Sequence, residues 1–218
     1  MVKKYSQGIL LFMLMIAFPL VSIYFLRAGN NYRKDQFKKL ESKGVVADFS
    51  FIDQKGTIYN QDSIKGKIVI SDFFFTRCPG PCYEMAQNLL RVQKAFRDRN
   101  DIVILSHTVD PKHDSVAILK QYAEKIGATP YKWYFLTGEK EALYKQAKLG
   151  YKLPAGEGDN HADFFHSQYV ALIDTSLNIR NYYDATDAQK VNEMITHISM
   201  IMPDDPKSRL QYKRETEK

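Results

Sequence analysis

The only two cysteines of the chain, Cys78 and Cys82, stand four apart in "FFFTRCPGPCYEM", with Pro79 and Pro81 between them. Such a pair can close a structural disulfide, cycle as a redox dithiol, or hold a soft metal ion. In the chain-entropy model a ring of about five residues stabilises a fold by only ~2 kcal/mol, against ~3 kcal/mol for one of about fifteen. Stability alone is therefore a weak reason for the pair. Redox dithiols of the thioredoxin type are normally spaced C-x-x-C, whereas three residues separate these two. As metal ligands, two thiolates select Cu(I), with Zn(II) as competitor. A site holding copper in both oxidation states needs a further donor, which directs attention to histidine.

The chain has five histidines. His107, at the end of the apolar run in "LSHTVDP", reads as a local hydrogen-bonding or packing residue. His113 in "PKHD" reads as a surface or capping residue, and His197 as part of a helix. His161 and His166 share the segment "GDNHADFFHS". Loops carried on rigid scaffolds often bear function. His166, immediately before the strand-like "SQYVALID", is the better placed of the two. A Cys₂His₂ zinc site using both is an alternative, but the spacing does not match a compact zinc module. Asp110 in "TVDP" can cap the following turn or supply charge beside a metal site.

Those residues need a frame. "KGKIVISDFFFT" (65–76) is a nearly continuous β-branched and aromatic run, the pattern of a strand buried on both faces. Residues 83–97 show a helical period in Met85, Leu89, Val92, Ala95 and Phe96. The cysteines thus fall in a strand-to-helix turn, where α/β sheets place ligand sites. A helix N-terminus there is expected to lower a thiol pKa. A second buried strand follows at 101–109. A helix follows at 114–127, with Asp114 or Ser115 at its N-cap and Gly127 past its end. "YKWYFLTG" is a short strand or turn and 139–151 a third helix. "LPAGEGDNHADFFHS" reads as a loop. "QYVALID" and "NIRNYYDA" form a hairpin around "TSLN", and 187–202 is a last helix. Upstream, "VVADFSFIDQKGTIYN" reads as a β-hairpin. The alternation predicts an α/β protein of thioredoxin-like fold: a central mixed sheet with an N-terminal hairpin.

The length, 218 residues with 44% hydrophobic and 26% charged, suits one globular domain with appendages. The net charge of +6 is spread without a long basic block, which speaks against nucleic acid as a partner. Gly8 to Leu26 gives 19 residues without formal charge behind Lys3 and Lys4. As a helix this run would span about 28 Å, close to a bilayer core of ~30 Å. No small-residue cleavage site follows, so the run reads as a retained transmembrane anchor rather than a signal peptide. Lys3 and Lys4 favour an inside N-terminus, with Arg27, Arg33 and Lys34 pulling the other way. The expected organisation is an anchor at 1–27, a polar tether at 28–44, a globular domain at 45–202 and a charged, disordered tail at 203–218. The domain would then lie on the extracytoplasmic (periplasmic) side.

The elements "FFFTRCPGPCYEM", "TVDPKHD", "YKWYFLTG" and "FFHSQYVALID" occur in an order and spacing that resembles the Sco/SenC family, over about residues 45–185. The resemblance implies a membrane-anchored copper protein of thioredoxin-like fold that holds one Cu(I) or Cu(II) through Cys78, Cys82 and His166, with Asp110 beside the site. It implies a role in assembling the CuA centre of cytochrome c oxidase, with subunit II as partner, and a metallochaperone more than an enzyme. The alternative is a thiol–disulfide oxidoreductase, or a peroxidase-like enzyme, using the Cys78/Cys82 pair. One departure stands out. Many members carry proline after the second cysteine, where this chain has Tyr83.

Overall fold

The computed structural model describes residues 2–157 and 164–202; of residues 2–11, 13, 14, 33, 37, 157, 164 and 165 it describes the backbone alone. The expected tail, 203–218, and His161 lie outside the described residues. The chain divides into two compact units, Met1–Glu41 and Ser42–Lys218.

The first unit is one helix, α1 (Val2–Lys39), with Pro19 inside it and Lys38 and Lys39 in its last turn, where cations favour the helix dipole. It runs through both the expected anchor and most of the expected tether. Among the described residues no helix is long and apolar enough to cross a membrane. The expected transmembrane helix is therefore not supported by the structure. Within the uncharged run Gly8–Leu26, the side chains of residues 8–11, 13 and 14 lie outside the described residues.

The second unit is built on a seven-stranded mixed sheet. Its strands are β1 (Ser50–Asp53), β2 (Ile58–Asn60), β3 (Ile68–Phe74), β4 (Ile102–Thr108), β5 (Trp133–Thr137), β8 (Tyr169–Ile173) and β9 (Ile179–Asp184), in the order β2-β1-β5-β4-β3-β8-β9. A separate two-stranded ribbon pairs β6 (Ala155–Glu157) with β7 (Phe164–His166). The helices are α2 (Cys82–Ala95), α3 (Val116–Ile126), α4 (Lys140–Lys145) and α5 (Ala188–Ile201). This is the thioredoxin-like arrangement expected, with β1 and β2 as the N-terminal hairpin.

Strands β3, β4 and β5 run parallel, and every residue of each is buried. That accounts for their continuous apolar sequence. Side chains of β3 alternate between two layers. Val69 and Phe73 join a core with Leu143, Ala147 and Tyr151. Asp72 and Phe74 face Met85 and Leu89 of α2 and Tyr122 of α3 across a cavity of about 10 Å³. Helix α3 is capped as its sequence asks: Ser115 Oγ accepts from the Ile118 N–H, and Gly127 takes the left-handed conformation, φ 81°.

Two elements differ from expectation. The third helix, expected over 139–151, is helical only to Lys145 and then widens into a π-helical turn, Gln146–Gly150. Gln146 folds over Gly150 so closely that a Cβ there would lie 2.4 Å from its side chain, and it donates to the Ala47 carbonyl. The expected loop before β8 contains the β6–β7 ribbon instead. Its strands are three residues each, too short to show a period.

The register explains why distant segments meet. β3 and β4 end together, Phe74 opposite Thr108, and the Val109 N–H donates to the Phe74 carbonyl. β8 runs antiparallel to β3, with Ala171 opposite Ser71. The residues leading into β8 therefore lie at the end of β3 where the cysteine turn begins.

Candidate metal centre

The chain leaves β3 at Phe74 and reaches helix α2 at Cys82. Pro81 takes the helical conformation at the N-cap, φ −71° and ψ −12°, and its carbonyl accepts from the Met85 N–H. Proline suits this position because no earlier carbonyl awaits its missing N–H. Cys82 is thereby rooted in the first helical turn, 5% exposed. Cys78 sits half-buried in the irregular turn before it; its N–H donates to the Phe75 carbonyl at 3.2 Å. Both cysteines are free thiols.

His166 ends β7, opposite Ala155, and the next residue donates its N–H to the Pro154 carbonyl. Its Nδ1 lies 3.0 Å from the Ser167 carbonyl and donates to it. That bond leaves the Nε2 lone pair facing the sulfurs. Nε2 is 2.9 Å from Cys82 Sγ and 3.8 Å from Cys78 Sγ. The ring of Phe75 packs edge-on against the imidazole, centroids 5.9 Å apart. Two sulfurs and one imidazole nitrogen thus lie within 4.8 Å of one another. This donor set fits a soft, low-coordinate ion.

Electrostatics sharpen the picture. Burial holds the His166 imidazole below its usual range, partly opposed by the Ser167 carbonyl, which keeps the ring neutral and its lone pair free. Burial pushes the Cys82 thiol well up, the neighbouring Cys78 adds to this, and the Phe75 N–H opposes it. The sequence predicts a thiol pKa lowered by the helix terminus. For Cys82 the direction is the opposite, because burial removes the sulfur from water. A cation among these donors would reverse the balance again, because a coordinating thiol is deprotonated by the metal charge.

The other candidates fall elsewhere. Asp110 is 4% exposed and accepts from Arg77 Nη2 at 2.6 Å. It grips the residue next to Cys78 and has no described contact with the three donors. His107 is fully buried among Phe49, Phe51, Phe73 and Tyr151, as a packing residue. Burial brings its pKa down to about 4, and its Nε2 has no partner. His113 lies against Asp114 at 2.9 Å, and His197 bonds Tyr183 within the core. Among the described residues, His166 is the histidine that joins the cysteines. A second cluster, Asp110, His113 and Asp114, is satisfied by donors of the protein itself, from Arg77, Thr76 and Thr108. Sequence reasoning missed Phe75, Thr76 and Asp114 as supports of the site. The signal available was the pair of aspartates four apart in "DPKHD".

The chain matches the SCO1/SenC family model over residues 37–202. It is 28% identical over 159 residues to the SCO1 protein homolog of Bacillus subtilis, covering 70% of this chain and 80% of that one. It is similar in structure to BsSco, described as a member of the Sco family of cytochrome c oxidase assembly proteins with a disulfide switch. That match has a TM-score of 0.66 and 24% identity, over 74% of this chain and 95% of that one. Arabidopsis thaliana ScoI with copper bound matches with a TM-score of 0.61 and 22% identity, over 72% and 99% of the two chains. At these identities the solved structures bear on the fold.

Proposed function

The chain belongs to the SCO1/SenC family, and from that premise we propose that it is a copper-binding metallochaperone that assists assembly of the CuA centre of cytochrome c oxidase, with subunit II as its partner. The observation that carries the proposal is the meeting of Cys78, Cys82 and His166, with Nε2 2.9 and 3.8 Å from the two sulfurs across more than eighty residues of sequence. Relatives of the same fold are described as copper-bound and as oxidase assembly proteins. Cys78 and Cys82 would supply two thiolates and His166 the imidazole, for one Cu(I) or Cu(II) per chain. Bound copper is the cargo. The protein's own residues hold it in a half-open position, with His166 on a two-stranded ribbon at the edge of the site.

Binding requires both thiols to lose their protons, and oxidation to a disulfide removes both sulfur ligands. Copper occupancy and disulfide state therefore exclude each other. The test is reconstitution of the reduced protein with Cu(I) and with Cu(II), read by metal analysis and absorption spectra. The wild type should hold one copper per chain. His166→Ala should weaken Cu(II) binding by at least about a hundredfold, the upper end for loss of a ligand's outer partner. Unchanged affinity of His166→Ala in both oxidation states would overturn the three-ligand reading.

A second reading, thiol–disulfide oxidoreductase, is favoured by the two free sulfurs within 4.8 Å of each other. It predicts turnover of a disulfide substrate without copper, lost on replacing either cysteine and indifferent to His166→Ala. Membrane attachment through residues 8–26 and a periplasmic position for residues 45–202 belong to the proposal. Their support is the uncharged run Gly8–Leu26 in the sequence. Carbonate-washed membranes and protease access in spheroplasts test them; recovery in the soluble fraction would remove them.

A further inference from the structure

Of the three donors, Cys78 is the one outside any helix or strand. Cys82 begins α2 and His166 ends β7. Between the cysteines, Pro79 and Pro81 have no N–H, so this stretch has little backbone capacity to hold itself. Something else must fix the Cys78 sulfur. Two residues earlier, the Thr76 N–H donates to Asp114 Oδ2 at 3.1 Å and its hydroxyl donates to Oδ1. Asp114 itself is fully buried. Its carboxylate is anchored from behind by the Thr108 hydroxyl and by His113 Nδ1 at 2.9 Å, and its N–H donates to the Asp110 carbonyl. Between Thr76 and Cys78, Arg77 is held by Asp110 at 2.6 Å. The β4–α3 connection thus grips the cysteine turn at two consecutive residues, and Asp114 makes the inner, water-excluded grip.

We infer that Asp114, acting through Thr76, is a positioning residue that sets where the Cys78 sulfur lies relative to Cys82 and His166. The inference rests on the copper reading above for its consequence, and on the geometry alone for its mechanism. A charged acceptor bonding a backbone N–H and a hydroxyl makes a directional, strong contact. Released from it, Thr76 and Cys78 can swing, and the 3.8 Å approach of Cys78 to His166 is the contact first affected.

The test uses the full-length chain in detergent with Thr76→Val, which keeps the side-chain shape and removes the hydroxyl, and Thr76→Ser, which keeps the hydroxyl. Asp114→Asn is added if it folds. The first readout needs no copper. Glutathione disulfide converts the two thiols to a Cys78–Cys82 disulfide, releasing two glutathione thiols, and the equilibrium is read by alkylation and mass. Loosening the dithiol arrangement should shift Thr76→Val toward the disulfide by about tenfold, about 30 mV more reducing for a two-electron couple. The second readout is Cu(I) affinity by chelator competition, expected to weaken about tenfold in Thr76→Val. Thr76→Ser should restore both. A Thr76→Val protein matching wild type in both readouts, even with a lowered melting temperature, would overturn the inference, as would a Thr76→Ser protein that behaves like Thr76→Val. A wild type that fails to bind Cu(I) would sink the copper reading, while the thiol–disulfide equilibrium would still decide the role of Asp114.

Discussion

Asp72 lies on β3 in the wall behind Cys82, 3% exposed, and shares the small cavity with that cysteine. Its Oδ1 accepts from the Ser106 hydroxyl at 2.6 Å. Burial raises its pKa to about 7, with the Ser106 bond pulling only part of the way back. In the unfolded chain an aspartate titrates near ~3.9. Between these two values the folded protein holds a proton that the unfolded chain has lost. Its contribution to stability is therefore full below about pH 3.9 and is lost as pH rises through about 7. At ~1.36 kcal/mol per pH unit the gap amounts to about 4 kcal/mol, a large share of the ~5–15 kcal/mol typical of a whole domain. Asp72→Asn removes the titration and keeps an oxygen to accept from Ser106. The variant should match wild type near pH 4, apart from a constant offset, then gain on it progressively and level off about 4 kcal/mol more stable above pH 8. Urea unfolding of the reduced, copper-free protein at a series of pH values measures this. Taking the difference between variant and wild type cancels His107, whose depressed pKa of about 4 removes stability as pH falls below about 6.5 in both proteins. A difference that is flat with pH, or a wild type that gains on the variant at alkaline pH, would refute the reasoning, since it would mean that the ionised Asp72 is solvated or paired.

Three further outcomes follow from the same geometry. Because burial keeps Cys82 protonated at neutral pH, Cu(I) loading at pH 7 should release protons, seen as a buffer-dependent binding enthalpy in calorimetry, and should weaken as pH falls; a buffer-independent enthalpy would contradict a buried thiol. Arg77→Ala leaves the 4%-exposed Asp110 carboxylate without its cation; with Arg77 itself 59% exposed and screened, the loss should be about 1 kcal/mol in urea unfolding, smaller at high salt. Gly127→Ala, at φ 81°, should cost about 1 kcal/mol with no change in copper affinity, separating a stability defect from a site defect in the same assays.

Much of the fold was readable because its signals are local or periodic. The runs 65–76 and 101–109 could hardly be anything but buried parallel strands, and they are β3 and β4. Ser115 and Gly127 bracket α3 as capping chemistry dictates. The end of the third helix is not legible locally, because the choice between an α and a π turn at Gln146–Gly150 depends on Gln146 folding over a glycine and reaching the Ala47 carbonyl. That partner lies about a hundred residues away and leaves no period in the local sequence. The ribbon bearing His166 carries no strand signal for a similar reason: three-residue strands owe their pairing to each other and not to propensity.

The candidate site divides along the same line. Donor atoms announce themselves by type: two cysteines and a histidine before a strand are conspicuous in a chain with so few. What sets their properties is long-range and leaves weaker marks. A helix terminus favours an acidic thiol by a local rule, whereas Cys82 is raised by burial among α2, β3 and α3, which no window of sequence contains. Asp110 reaches the site through Arg77, the neighbour of Cys78; of the two N-cap candidates, Asp114 and Ser115, the cap falls to Ser115, and Asp114 turns inward to Thr76. An aspartate at a helix start has two acceptor oxygens and a choice of donors. Here the parallel register that brings the end of β3 beside the end of β4 decides the choice, because it delivers an N–H and a hydroxyl from Thr76 into a space closed to water. The ligand set is thus a property of residue types, while the grip on it is a property of strand pairing.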